Sequence, residues 1–417
     1  MSHHLRRLAF LSMHTSPLAR PGTSKAGGMN VYIAELTAQL GMGGCAVDIY
    51  TRADQPGLPR IVELAPNVRV VHIEAGPLEV LSPIEVHAWT STFTAEVMAF
   101  AAADSCEYEL IHSHYWLSGL SGVELANHWR IPHVAMFHTL GEVKNRARRA
   151  EQEPLLRIEG ERDVVREADR LICATPHERD FLVQLYGADR ECIDVVPPGV
   201  DLDLFSPGDQ AAARAGLGLG SEPIVLFVGR MEPLKGVDIL IRAAGVVDLD
   251  TTITVLVAGG DPKADQSTTA ALVELASELG IGDQVQFVGT LPREQLPLYY
   301  QAADVCVVPS YYESFGLVAV EALASGTPVI ATRVGGLQYT VRDGQTGYLV
   351  SWRCPEPFAE RMETLLENDE LRGRFAAAAP ESVRRFSWDL VAEQIVVVYE
   401  DVLERHASGM AAGSTAG

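Results

Sequence analysis

The chain has 417 residues, 47% of them hydrophobic, with mean hydropathy +0.08, a net charge of −22 and a pI near 4.9. That length exceeds one ordinary core and predicts two domains. The acidic balance excludes nucleic acid and a strongly anionic membrane surface as main partners, and no apolar run approaches the roughly 20 residues that span a bilayer.

Six cysteines (Cys45, Cys106, Cys173, Cys192, Cys306, Cys354) are scattered without the short spacing of a zinc or redox motif. Residues 8–13 are too short for a signal core. The expectation is a soluble, cytoplasmic protein in a reducing compartment.

In chain order, 8–13, 46–50, 68–73, 110–114, 133–137 and 170–174 read as strands. Residues 29–40, 92–103, 117–127 and 155–167 read as helices. Such alternation predicts a parallel sheet with helices on both faces. The segment 196–208, with three prolines and two glycines, reads as an inter-domain linker. Beyond it the alternation restarts. Strands are predicted at 224–228, 253–258, 285–288, 305–309 and 329–331, and helices at 237–247, 268–279, 294–302 and 314–325. The predicted domains are 1–198 and 199–387, with a last helix at 388–405 packing back on the first domain and a flexible small-residue tail at 407–417.

Five stretches could carry chemistry. Gly22 to Asn30 follows the first strand, and its Gly27–Gly28 pair lets backbone N–H groups approach an oxyanion at a helix N-terminus. The dinucleotide spacing G-x-G-x-x-G is absent, and a plain tight turn competes with that reading. Lysine is scarce, with only Lys25, Lys144, Lys235 and Lys263. Arg230 and Lys235 therefore stand out at the end of strand 224–228, where two cations can offset a diphosphate. Glu313 and Glu321 lie eight residues apart across an apolar run, predicted to share one face of a helix capped by Ser314. The junction would take a diphosphate and the second glutamate a ribose; two solvated glutamates are the competing reading. His112 and His114 alternate on one strand face, but no third metal ligand follows at a suggestive spacing, so no metal is expected. His138 ends another strand of the first domain.

Together these motifs resemble the family-4 retaining glycosyltransferases of the GT-B fold. The resemblance spans the chain, and Glu-x7-Glu with Gly-Arg-x4-Lys is its most specific part. It implies an α/β architecture of two doubly wound, Rossmann-like domains facing across a cleft, with acceptor on the first and nucleotide-sugar donor on the second. Ser12 to Leu18, Gly27 to Tyr32, Ile111 to Gly119 and His138 to Leu140 look like the members that attach N-acetylglucosamine to inositol 3-phosphate, opening mycothiol synthesis.

By that resemblance His138, Arg230, Lys235 and Glu313 are catalytic. The donor is held by Gly27, Gly28, Arg230, Lys235, Glu313, Ser314, Phe315, Gly316, Leu317 and Glu321. The acceptor is held by His14, Lys25, Asn30, Tyr115, Thr139 and Arg157. Departures fall on the acceptor side, where Pro83 replaces an expected lysine and Lys25 an expected aspartate.

The resemblance implies a sugar transferase using a GDP- or UDP-linked donor, with no further cofactor. Its partners are a small-molecule donor and acceptor, with no nucleic acid and no membrane; monomer or homodimer stays open. The departures point to a secondary-metabolite paralogue that S-glycosylates a low-molecular-weight thiol such as ergothioneine, as in lincosamide antibiotic biosynthesis. The alternative is transfer from UDP-N-acetylglucosamine to inositol 3-phosphate. A front-face mechanism fits, in which the leaving diphosphate takes the acceptor's proton. A non-catalytic nucleotide-sugar sensor and a Rossmann dehydrogenase are the other classes. The first is opposed by the full set of cations and carboxylates, the second by the missing glycine spacing.

Overall fold

The computed structural model describes residues 5–19, 27–147, 152–260, 266–351 and 354–414. It separates into two units, with a division between Pro197 and Pro198 and a return to the first unit at Trp388.

The N-terminal unit is built on eight strands: β1 (Arg7–Leu11), β2 (Ala46–Arg52), β3 (Ile61–Ala65), β4 (Val68–Ile73), β5 (Leu110–His114), β6 (His133–Met136), β7 (Arg170–Cys173) and β8 (Ile193–Val195). Their order is β3-β4-β2-β1-β5-β6-β7-β8, and the edge strand β3 is antiparallel to β4. Around them run α1 (Gly28–Met42), α2 (Pro83–His87), α3 (Thr90–Ala103), α4 (Tyr115–Trp129), α5 (Gly141–Ala147), α6 (Leu155–Glu167) and α7 (Pro176–Tyr186). The central strands are apolar on both faces because helices cover both. Leu8, Ala9, Phe10 and Leu11 are all fully buried.

The C-terminal unit carries β9 (Ile224–Val228), β10 (Thr254–Ala258), β11 (Val285–Gly289), β12 (Val305–Val308), β13 (Val329–Thr332) and β14 (Gly347–Val350). All are parallel, in the order β11-β10-β9-β12-β13-β14. Its helices are α8 (Gln210–Leu217), α9 (Val237–Ala244), α10 (Gln266–Glu278), α11 (Leu296–Ala302), α12 (Leu317–Ala324), α13 (Leu337–Thr340), α14 (Pro355–Leu366) and α15 (Asp369–Val383). One core joins Val225, Phe227, Leu240, Val255, Val307, Phe358 and Met362, each at most 1% exposed. Burying such side chains stabilises the unit by about 1.5–3 kcal/mol apiece.

Each sheet reverses its winding once. The reversal lies between β1 and β5 in the first and between β9 and β12 in the second. Ligands of doubly wound sheets bind outside the carboxyl ends of strands at such switch points. The fold thus marks two places: the ends of β1, β5 and β6, and the ends of β9 and β12.

Two sequence expectations need correction. The predicted helix 314–325 begins three residues later, at Leu317, with Gly316 as its N-cap at φ 95°. Ser314 therefore caps nothing, and Glu313 shares no helical face with Glu321. The last helix does not stop at Arg405; it runs Trp388–Ser414, through most of the expected tail, which is rich in helix-favouring alanine. Its start packs on the N-terminal unit, with the Trp388 ring 5.7 Å from that of Tyr32.

Candidate active site

In the C-terminal unit, β9 delivers Gly229 and Arg230, then a single 3-10 turn, Pro233–Lys235. Lys235 Nζ donates to Glu313 Oε2 at 2.7 Å, both side chains only partly exposed. Arg230 Nη1 pairs with Glu232 Oε1 at 2.7 Å and stays 40% exposed, open to a ligand. Tyr311 N donates to Leu234 O at 2.8 Å, tying the two loops together. Arg230, Lys235 and Glu313, separated by up to 83 residues in sequence, are thus carried on adjacent loops at one switch point.

The loop holding Glu313 is shaped by glycines. Gly316 adopts φ 95°, where an L side chain is strained, and a Cβ there would lie 2.7 Å from Leu337 Cδ2. At Gly335 (φ 45°) a Cβ would lie 1.9 Å from Glu313 O, and Gly336 N donates to that same carbonyl at 3.0 Å. The Gly335–Gly336 pair is a clamp on the Glu313 backbone.

Glu321 is 9% exposed and accepts from Tyr300 Oη at 2.9 Å. Burial pushes its carboxyl up to about 7, opposed by the Tyr300 hydrogen bond and the charge of Arg293. Next to the loop, the Ser310 hydroxyl is buried without a hydrogen-bond partner.

In the N-terminal unit the strand ends gather His14, Tyr115, Thr139 and Arg157. The rings of His14 and Tyr115 are 4.3 Å apart. The Arg157 guanidinium lies 4.9 Å over the Tyr115 ring. Arg157 Nη2 donates to Thr139 O at 2.9 Å and Thr139 Oγ1 at 3.0 Å. Its Nε donates to Glu161 Oε1 at 2.7 Å and Nη1 to Glu153 Oε2 at 3.0 Å. Burial works against this cation, but Tyr115, Glu161 and Glu153 outweigh it and hold the proton firmly. Glu153 also pairs with Lys144, a contact that sequence spacing does not reveal.

Asn30 is 2% exposed, and its Nδ2 donates to Thr15 Oγ1 at 2.8 Å and Ser16 O at 2.7 Å, bracing the loop after β1. Gly28 is the first residue of α1, and a Cβ at Gly27 would meet nothing within 4 Å. Lys25 lies outside the described residues. Pro83 opens α2 inside a capping box, in which Ser82 N donates to Glu85 Oε2 at 2.7 Å.

Two non-glycine residues here have positive φ, Tyr115 at 74° and His138 at 60°. Strain of this kind, at the ends of neighbouring strands β5 and β6, is common at functional sites. His138 Nε2 lies 3.0 Å from His114 Nδ1. Burial and the nearby His14 hold the His138 imidazole neutral. Among the described residues no group of three or more His, Cys, Asp or Glu could hold a metal.

Sequence and fold comparisons agree with this geometry. Residues 209–382 match the family described as Glycosyl transferases group 1, and residues 26–204 match Glycosyltransferase Family 4. A D-inositol 3-phosphate glycosyltransferase from Nocardia farcinica is 47% identical, covering 98% of this chain and 92% of its own. One from Kribbella flavida is 45% identical, covering 97% of both. The chain belongs to the family-4 glycosyltransferases.

This glycosyltransferase is a GT-B enzyme. Its fold is similar to that of a sucrose-phosphate synthase from Thermosynechococcus elongatus, with TM-score 0.90, 35% identity and coverage of 96% and 100%. Anabaena HepE, solved in complex with UDP-glucose, shares the fold at TM-score 0.76 and 21% identity, covering 95% of this chain and 99% of its own. No described helix of the glycosyltransferase is long and apolar enough to cross a membrane.

Proposed function

We propose that this glycosyltransferase moves N-acetylglucosamine from UDP to inositol 3-phosphate with retention of anomeric configuration. The observation that carries the reading is the Tyr115–Thr139–Arg157 cluster, joined by His14, in a chain whose full-length relatives are named for inositol 3-phosphate. A buried guanidinium that cannot lose its proton suits a phosphate.

On the donor side, Arg230 and Lys235 neutralise the leaving diphosphate, with Gly28 as a further backbone contact. Glu321 accepts hydrogen bonds from ribose hydroxyls, and Glu313 with Ser314, Phe315, Gly316 and Leu317 borders the sugar. His138 stands beside the transferred sugar. The departing phosphate oxygen takes the acceptor's proton, so the protein contributes positioning and electrostatic stabilisation. The acceptor residues belong to the N-terminal unit and the donor residues, Gly28 and His138 apart, to the C-terminal unit.

A second reading, S-glycosylation of a small thiol, is favoured by two observations. Pro83 begins α2 where a phosphate-binding lysine was expected, and Arg157 is already hydrogen-bonded to Glu153 and Glu161. A mass-spectrometric panel of UDP- and GDP-sugars against inositol 3-phosphate and ergothioneine tests both. The proposal expects the inositol phosphate conjugate from a UDP donor. Exclusive conjugation of the thiol would overturn it in favour of the second reading.

A further inference from the structure

Resting on the placement of His138 beside the transferred sugar, we propose that His114 is a positioning residue that fixes the tautomer of His138, so that His138 presents an N–H donor, and no base, at Nδ1.

His112 and His114 are alternate residues of β5, so their rings share one face, with centroids 4.2 Å apart. Both are fully buried. Phe10 lies against both rings, and Tyr32 against His114 and His138. Burial and the neighbouring imidazoles hold all three histidines neutral, so each ring carries one proton.

A single proton bridges His114 Nδ1 and His138 Nε2, 3.0 Å apart. Two arrangements are available. If His138 Nε2 donates, His114 must carry its own proton at Nε2, an atom that is buried and has no hydrogen-bond partner. That arrangement strands a buried N–H. If His114 Nδ1 donates, the unmatched atom is only a lone pair. Orphaned buried donors are the rarer and costlier defect. The second arrangement therefore prevails, and the His138 proton sits on Nδ1.

His112 repeats the pattern. Its Nδ1 contacts Tyr399 Oη at 2.6 Å, while its Nε2 is buried without a partner. The C-terminal helix thus braces the stack from behind. An Nδ1–H on His138 can donate to a sugar or phosphate oxygen and cannot accept the acceptor's proton. This matches a reaction in which the leaving diphosphate takes that proton.

The test uses the full chain labelled with 15N-histidine, with long-range 1H–15N spectra reporting each tautomer and His138→Gln assigning the resonance. The expected wild-type state is His138 protonated at Nδ1. His114→Met, whose thioether can accept but not donate, is expected to populate the Nε2–H form and to lower kcat about tenfold, with donor KM changed less than about threefold. His114→Asn, whose amide nitrogen falls near the place of Nδ1, is expected to restore both. An Nε2-protonated His138 in the wild type would overturn the proposal. So would a His114→Met protein with unchanged tautomer and kcat. If His114→Met does not fold, the wild-type spectrum alone decides. Should His138→Gln keep full activity while the tautomer is as stated, the placement of His138 at the sugar fails and the role of His114 stands.

Discussion

In the proposed reading Arg230, Lys235 and Glu321 carry the donor chemistry at the scale of single side chains, and each makes a separable prediction. Arg230→Ala and Lys235→Ala each remove a cation from the leaving group, and kcat is expected to fall by roughly 10²–10³ without loss of folded structure. Activity surviving both changes would refute the leaving-group assignment. Glu321 predicts a pH effect. Its folded carboxyl titrates near 7, against an ordinary 4.5. Between those values the folded chain binds more protons than the unfolded chain, so stability falls as pH rises, by on the order of 3 kcal/mol for this group. Glu178, buried and pushed up to about 7, adds to the same slope. Thermal melts of Glu321→Gln should therefore match the parent near pH 5 and exceed it near pH 8. Ribose hydroxyls that donate to Glu321 would favour its ionised form. UDP binding near pH 6.5 should then release more protons in the wild type than in Glu321→Gln, where only the terminal phosphate of UDP contributes, read by calorimetry in two buffers.

The glycine-capped start of α12 decides the site at the scale of elements. Gly316→Ala places a side chain at φ 95° and against Leu337. A cost of about 1–3 kcal/mol is expected in denaturant unfolding, with a raised donor KM because the Glu313 loop shifts. Sequence patterns missed this start because Ser314 is a good cap by type, while the true cap depends on Gly335 and Gly336 closing over the loop from about twenty residues away. Strands β5 and β9 were legible because covered parallel strands are continuous apolar runs. Edge strand β3 was not, since none of its five residues is buried and Ile61 and Glu63 are exposed. The motif residues Arg230, Lys235 and Glu313 could be picked out by charge scarcity and junction position. Their supporting partners could not. Tyr300 on Glu321, Thr139 on Arg157 and His114 on His138 are neighbours only in the folded chain.

In the proposed reading two sheets, each with its own switch point, divide the substrates at the scale of the molecule. Hydrogen exchange should show UDP protecting residues 229–236 and 310–317, and inositol 3-phosphate protecting 12–16, 115–118 and 138–141. Protection of one set by both ligands would contradict that division of labour. The central claim is retaining transfer of N-acetylglucosamine to inositol 3-phosphate. Proton NMR of the product formed from UDP-N-acetylglucosamine tests it most directly. The account predicts an α-linked N-acetylglucosaminyl inositol phosphate with a small anomeric coupling. A β-linked product, or hydrolysis of the donor with the inositol phosphate untouched, would contradict it.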